Sequence, residues 1–323
     1  MRYIITLLLT AIPAASLAEA PRVVTDIPPV HSLVAQVMGE LGQPELLLAR
    51  GADEHDFQLK PSQARAVAEA GLVVWIGPEL TPWLDSALAA RPEGAAALAL
   101  LGAEGTHRRA YGEADEAGGN DHADDHAQDH ADDHADGHAH DQDHGHDHGH
   151  DHGAEDPHAW LDPGNAQVWL KLIAAELGRL DPEHAATYAA NATAAAAVIA
   201  ALDAGIAGLL APVKDRPILT YHDAYGYFAD HYGLTVIGSL AEGDAATPGA
   251  ARLTALRAAV ADGACLFPEV QHDPRLILQL AEDTGAKIGG ALDPVGSALE
   301  PGPGAYAALL RGLAATIADC AGG

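Results

Sequence analysis

Residues 183–210 read EHAATYAANATAAAAVIAALDAGIAGLL. Alanine, the strongest helix former, dominates the stretch, and its only breakers are Gly205 and Gly208 near the far end. Asp181-Pro182 stands in front of it, the Asp placed as a cap and the Pro at the first turn. This predicts a single helix, roughly 40 Å long at 1.5 Å per residue. A helix of that length suits a strut between two lobes.

The flanking sequence supports that reading, because strands and helices alternate on both sides of the strut. Before it, Val23-Val24-Thr25, Glu45 to Ala49 and Leu72-Val73-Val74-Trp75-Ile76 read as strands. The last is apolar throughout, as expected of a strand buried on both faces of a parallel sheet. Helices are expected over Val30–Met38, from Pro61 to Gly71, around Thr81 to Ala90, and from Pro163 to about Leu180. After it, strands are expected at Ile218–Thr220, Leu234–Ser239, Leu266-Phe267 and Lys287–Leu292. Helices follow each, the last from about Pro303 to Ala318. The expected class is α/β: two lobes, each a mostly parallel sheet flanked by helices, joined by one long helix. The divisions expected are a signal peptide over 1–18, an N-terminal lobe over 19–180, the helix over 181–211 and a C-terminal lobe over 212–323.

Composition narrows the function. The 323 residues carry 17 Lys+Arg against 46 Asp+Glu, a formal charge of −29. Such a surface repels a phosphate backbone and anionic lipid, which argues against a nucleic-acid partner and suits a cation. The acids are unevenly placed. Residues 113–156 hold sixteen of them with no Lys or Arg, so the remainder of the chain carries only −13. Residues 121–152 hold eleven Asp and eleven His: His122, His126, His130, His134, His138, His140, His144, His146, His148, His150 and His152. With nothing apolar larger than Ala, the 113–156 segment cannot pack a core and is expected to be a disordered loop. Its imidazoles suit an auxiliary, loosely chelating arm that gathers metal, with the Asp residues raising the local cation concentration.

The N-terminus reads as an export signal. Arg2 gives the positive charge, Ile4 to Ala15 the short apolar run, and Ser16-Leu17-Ala18 the small-x-small cleavage site. The run is too short to span a bilayer, and no later segment is read as spanning one. A free exported protein, periplasmic and cut near Ala18, is expected. Export permits a disulfide, and Cys265 and Cys320 are the only Cys pair. The alternative for them is a pair of thiols ligating metal.

Several polar residues fall after strands or in the neighbouring loops: His55 in the 51–56 loop, His158 in Asp156-Pro157-His158, His222 after Ile218–Tyr221 and Asp293 after Ile288–Leu292. In open α/β sheets ligands bind beyond the carboxyl ends of strands, so lobes facing one another would bring the four into one cleft. Imidazoles with a carboxylate suit a small tetrahedral ion of borderline softness, zinc above all. Deprotonated imidazoles are needed, so affinity is expected to fall as pH drops through about 6.5. His31 is read as a helix residue near a cleft edge, His272 as an exposed loop residue, and His184 and His231 as surface residues at helix ends. Trp75 and Trp160 are read as core or interlobe packing.

At these residues the chain resembles the zinc-specific substrate-binding proteins of bacterial ABC-type metal importers, a family that also contains manganese binders. The resemblance runs from about Val23 to Cys320 and is strongest at Gly51–Pro61, Leu72–Pro78, Asp156–Pro163, His222–Phe228 and Leu292–Gly296, with the His-rich insertion before Asp156. It implies two α/β lobes on a single long helix, His55, His158 and His222 as ligands, and a fourth position filled by Asp293, by Glu54 or by water. It also implies a Cys265–Cys320 disulfide. The cargo implied is Zn²⁺, the partner an ABC transporter permease, with a periplasmic zinc chaperone as a further partner, and the protein a monomer without enzymatic activity. The competing readings are an exported zinc-dependent hydrolase, with Glu54 as its base, and a periplasmic zinc buffer. No His-Glu-x-x-His helix supports the first.

Overall fold

The computed structural model describes residues 20–55, 57–111, 155–241, 248–260 and 263–322. The signal-peptide segment and the eleven imidazoles of the acidic tract lie outside the described residues.

The first lobe is built on β1 (Val23–Thr25), β2 (Glu45–Leu46), β3 (Leu72–Trp75) and β4 (Ala96–Ala99), in the order β2-β1-β3-β4 with every pairing parallel. Helices α1 (Pro28–Met38), α2 (Pro61–Glu69) and α3 (Pro82–Ala89) make the crossovers. Pro28, Pro61 and Pro82 each begin a helix, where the missing N–H costs nothing. The strand Leu72–Trp75 is buried throughout. β4 was not expected from the sequence: its Ala-Ala-Leu-Ala has little strand propensity, and it forms because β3 offers a free edge, with register Leu72↔Ala96 to Trp75↔Ala99. β2 is shorter than the apolar run suggested, although Leu47 N and Leu48 N still donate to Thr25 O and Asp26 O.

Helix α4 (Pro163–Leu180) is capped by Asp162, which accepts from Gly164 N at 2.7 Å. The long helix α5 (Ala185–Leu210) begins two residues later than Glu183. The delay has a cause in Asp181, whose carboxylate meets His184 Nδ1 at 2.7 Å and accepts from Tyr188 Oη at 2.9 Å. Among the described residues, α5 is the one helix long and apolar enough to cross a membrane by length and composition, contrary to the sequence reading. Its apolar stripe of Tyr188, Ala192, Ala195, Ile199, Leu202, Ile206 and Leu210 is buried instead, in packing against α4, α1 and the C-terminal helix α9 (Ala305–Gly322).

The second lobe repeats the first. Strands β5 (Ile218–His222), β6 (Val236–Ala241), β7 (Cys265–Leu266) and β8 (Lys287–Ile288) lie parallel in the order β6-β5-β7-β8. Helices α6 (Gly226–Tyr232), α7 (Ala250–Ala259) and α8 (Arg275–Thr284) connect them. The expected last strand stops at Ile288, and Leu292 rejoins the lobe by pairing with Glu269. Cys265 and Cys320 form a disulfide that ties β7 to α9, so the thiol-ligand alternative does not apply.

One apolar cluster runs through both lobes, from Val23 and Leu33 through Trp160 and Tyr188 to Phe228, Phe267 and Ile317. Trp160 crosses the seam, with its indole donating to Pro294 O at 2.8 Å while Tyr306 Oη donates to Trp160 O at 2.8 Å. Trp75 packs in a separate cluster behind the first sheet, with Leu47, Val67 and Leu84.

Candidate metal centre

Both sheets present their carboxyl ends to the same cleft. The loop after β2 turns at Gly51, whose φ of 72° favours glycine. It reaches the other lobe, with Gly51 N donating to Ser297 O at 3.1 Å. Asp53 Oδ1 then accepts from His55 N at 2.9 Å, and Trp83 Nε1 donates to Glu54 O at 2.9 Å. These bonds hold Glu54 and His55 in one orientation.

His158 is held more rigidly. Asp156 Oδ1 accepts from its backbone N at 2.9 Å and meets its Nδ1 at 2.8 Å, and both side chains are fully buried. The other oxygen of Asp156 receives Arg109 Nη1 at 2.7 Å. His222, the last residue of β5, has a parallel arrangement across the cleft. Its N donates to Glu269 Oε1 at 3.3 Å, and its Nδ1 lies 2.5 Å from Glu269 Oε2. A carboxylate only accepts, so it fixes the proton on Nδ1 and turns the Nε2 lone pair outward. Both histidines are therefore set in the tautomer that ligates through Nε2, with the carboxylate fixing the orientation of the ring.

His55, His158 and His222 each offer a nitrogen within 4.8 Å of the others. Their ring centroids are 5.4, 6.1 and 5.4 Å apart. His158 Nε2 is buried without a hydrogen-bond partner among the described residues, the position a cation would satisfy.

Glu54 lies beside His55 at the edge of this group. It is 2% exposed, and its Oε1 lies 3.9 Å from His55 Nε2. Burial pushes its carboxyl pKa up, and charge on His55, His222 and His158 pulls the other way. A carboxylate placed there is costly alone and favourable beside a cation. Asp293, like Glu54, is not grouped with the three histidines within that 4.8 Å limit. Its carboxylate is occupied in its own turn, accepting from Ser297 N and Ala298 N at 2.9 Å each and from Gln271 Nε2 at 3.2 Å.

His272 departs from the exposed-loop expectation. Its ring stacks on Tyr221 at 4.5 Å and 7°, with its centroid 5.5 Å from that of His222. The sequence signal was available in Glu269-x-x-His272 directly after β7, a spacing that sets both side chains on one side of a turn. His31 is drawn away from the cleft, its Nε2 lying 3.2 Å from Pro44 O. His184 is half-buried on Asp181, and His231 links Asp162 at 3.2 Å to Asp203 at 2.8 Å.

Comparison with known proteins follows the same lines. Residues 23–320 match the family described as the periplasmic zinc-uptake complex component A. The high-affinity zinc uptake system protein ZnuA of Paracoccus denitrificans (strain Pd 1222) is 55% identical over 315 residues, spanning 97% of this chain and 94% of that protein. The protein of the same name from Brucella abortus (strain 2308) is 41% identical, over 94% of this chain and 92% of its own length. Among solved structures, a zinc-bound ZnuA lacking its residues 138–173 superposes with a TM-score of 0.71 at 24% identity, over 94% of this chain and 98% of that one. The periplasmic zinc-binding protein TroA of Treponema pallidum gives 0.72 at 18% identity, over 93% and 99%. At those identities the structural matches speak for the two-lobed fold.

Proposed function

From a chain that belongs to the periplasmic zinc-uptake component A family, we propose the way the ion is held and passed on. The protein is a high-affinity zinc-binding component of a zinc uptake system, and Zn²⁺ is its cargo. The family is periplasmic.

The ligands in this reading are His55, His158 and His222 through nitrogen, with Glu54 as the fourth donor. The observation that carries it is the convergence of the three imidazoles, two of them locked by buried carboxylates. Three nitrogens and one oxygen favour zinc over manganese, which prefers oxygen-rich sites. Asp293 keeps the turn at 293–298 and stays outside the shell. The working unit is a monomer, exported by cleavage near Ala18, with domain limits at 180 and 212. The eleven-His arm gathers zinc more weakly than the cleft, and an ABC permease receives the ion, with a periplasmic zinc chaperone as a second donor to the system. Nothing in this scheme requires catalysis.

Chelator competition tests the centre. His222→Ala should weaken zinc binding by about 100-fold or more, one ligand's share of the roughly 10–16 kcal/mol typical of a four-ligand zinc site. Unchanged affinity would refute the assignment. Zinc stoichiometry in protein lacking residues 115–154 tests the arm: a value equal to that of the full chain would remove its role as a reservoir.

A further inference from the structure

Beside the centre lies a second convergence of metal donors. Glu269, His272 and His222 also offer ligand atoms within 4.8 Å of one another. His272 Nε2 is 3.5 Å from Glu269 Oε2, beyond a normal hydrogen bond. Its ring is held against Tyr221, so this donor is fixed in place.

Accessibility is graded across the two clusters. Side-chain exposure is 21% at His272 and zero at Glu269 in the second cluster, against 12% at His55 and zero at His158 in the first, with the shared His222 at 4%, so His272 is the donor most open to solvent. The clusters also share one imidazole. A neutral imidazole has a single lone pair, since its other nitrogen carries the proton. His222 can therefore serve one ion at a time, and occupancy of the two clusters is alternative. Alternative occupancy, with His272 the donor most open to solvent, is the arrangement of successive stations for one ion.

We propose that His272 and Glu269, with His222, form an outer cation station through which Zn²⁺ passes on its way to and from the inner centre. The inference rests on the ligand assignment above and adds a path to it. Glu269 then has two roles: it accepts a hydrogen bond from His222 Nδ1–H when the ion is inside, and it offers a carboxylate oxygen to the ion when the ion is outside, the proton staying on Nδ1 throughout. The transfer is an exchange of donors around one histidine, with no redox change.

The test is stopped-flow zinc binding to the full mature chain, with dissociation followed into excess chelator. A station on the path speeds arrival and departure alike, so His272→Ala should slow both, each by about tenfold, the lower end of what losing one residue around a metal site costs. His272→Phe keeps the stack on Tyr221 and removes the donor, so it should behave like His272→Ala. Unslowed association in His272→Ala, or wild-type rates in His272→Phe, would overturn the proposal. His222→Ala in the same assay separates the two readings: if it loses tight binding while the His272 variants associate normally, the station fails and the centre stands. If His222→Ala keeps tight binding, the centre itself is wrong.

Discussion

Arg109 fills the space that a Cβ on Gly226 would take. The glycine opens α6 in the second lobe, and the arginine comes from the first. Arg109 is buried, donates to Asp156 at 2.7 Å and to Asp230 at 3.1 Å, and lies 5.8 Å from the Tyr227 ring. Asp156 in turn orients His158. A position with no side chain thus controls, through two others, the orientation of an imidazole in the centre. Gly226→Ala should displace the guanidinium and weaken zinc binding about tenfold, within the range seen when partners behind a ligand are lost. Isothermal titration with a competing chelator reads this directly, and unchanged affinity would break the proposed chain.

The carboxylates behind the histidines give a second prediction. Asp156→Asn and Glu269→Gln keep size while removing charge. An amide can also present its N–H to Nδ1, which reverses the tautomer. Each should cost roughly 10–100-fold in zinc affinity with little change in secondary structure by circular dichroism. Asp293→Asn should have a smaller effect on affinity, because its oxygens serve the 293–298 turn.

His231 makes a pH-dependent tie. Its hydrogen bond to Asp162, then that to Asp203, raises its pKa from 6.5 to about 9 against the opposing effect of burial. A group whose pKa is raised by folding stabilises fully below its unfolded value and loses that contribution as pH climbs through its folded value. The melting-temperature gap between the parent chain and His231→Gln should therefore be widest below pH ~6.5 and should close as pH passes ~9. A gap that stays constant across this range would show that the tie works through packing instead of charge.

Much of this was legible beforehand. The Ala-rich run of 183–210 announced the strut, and the apolar run Leu72–Ile76 announced a central parallel strand. Asp156-Pro157-His158 and His222 after a strand pointed to the cleft. What was hidden depended on neighbours. Ala96–Ala99 becomes a strand only because β3 presents an edge to it. The Glu269-x-x-His272 spacing pairs those two side chains, but the stack on Tyr221 that holds His272 beside His222 comes from a different strand and is not written in that spacing. The oxygens of Asp293, a candidate fourth ligand by its place at a strand end, accept from the backbone N–H groups of its own turn, contacts that only the folded chain defines.

The disulfide provides a fourth prediction. Cys265 and Cys320 are 55 residues apart. A loop of that size corresponds to about 4 kcal/mol in the chain-entropy account. Reduction should lower the melting temperature by roughly 5–10 °C, and no change on complete reduction would refute a stabilising role. The zinc centre shares no side chain with the bridge, so affinity at 25 °C should survive reduction of the folded protein.

The apolar cluster that runs from Val23 to Ile317 constrains how the ion can be released. Receptors that shut like a clamshell need a wet seam between halves that swing freely. Here Trp160, Tyr306 and the flank of α5 form a welded spine, and pulling the halves apart would put that grease in contact with water. Release is therefore left to what sits above the spine: the 51–55 loop, the turn after β7 and the 293–298 turn. A docking partner that pries at those three rims can unseat the cargo one bond at a time while the body beneath stays still.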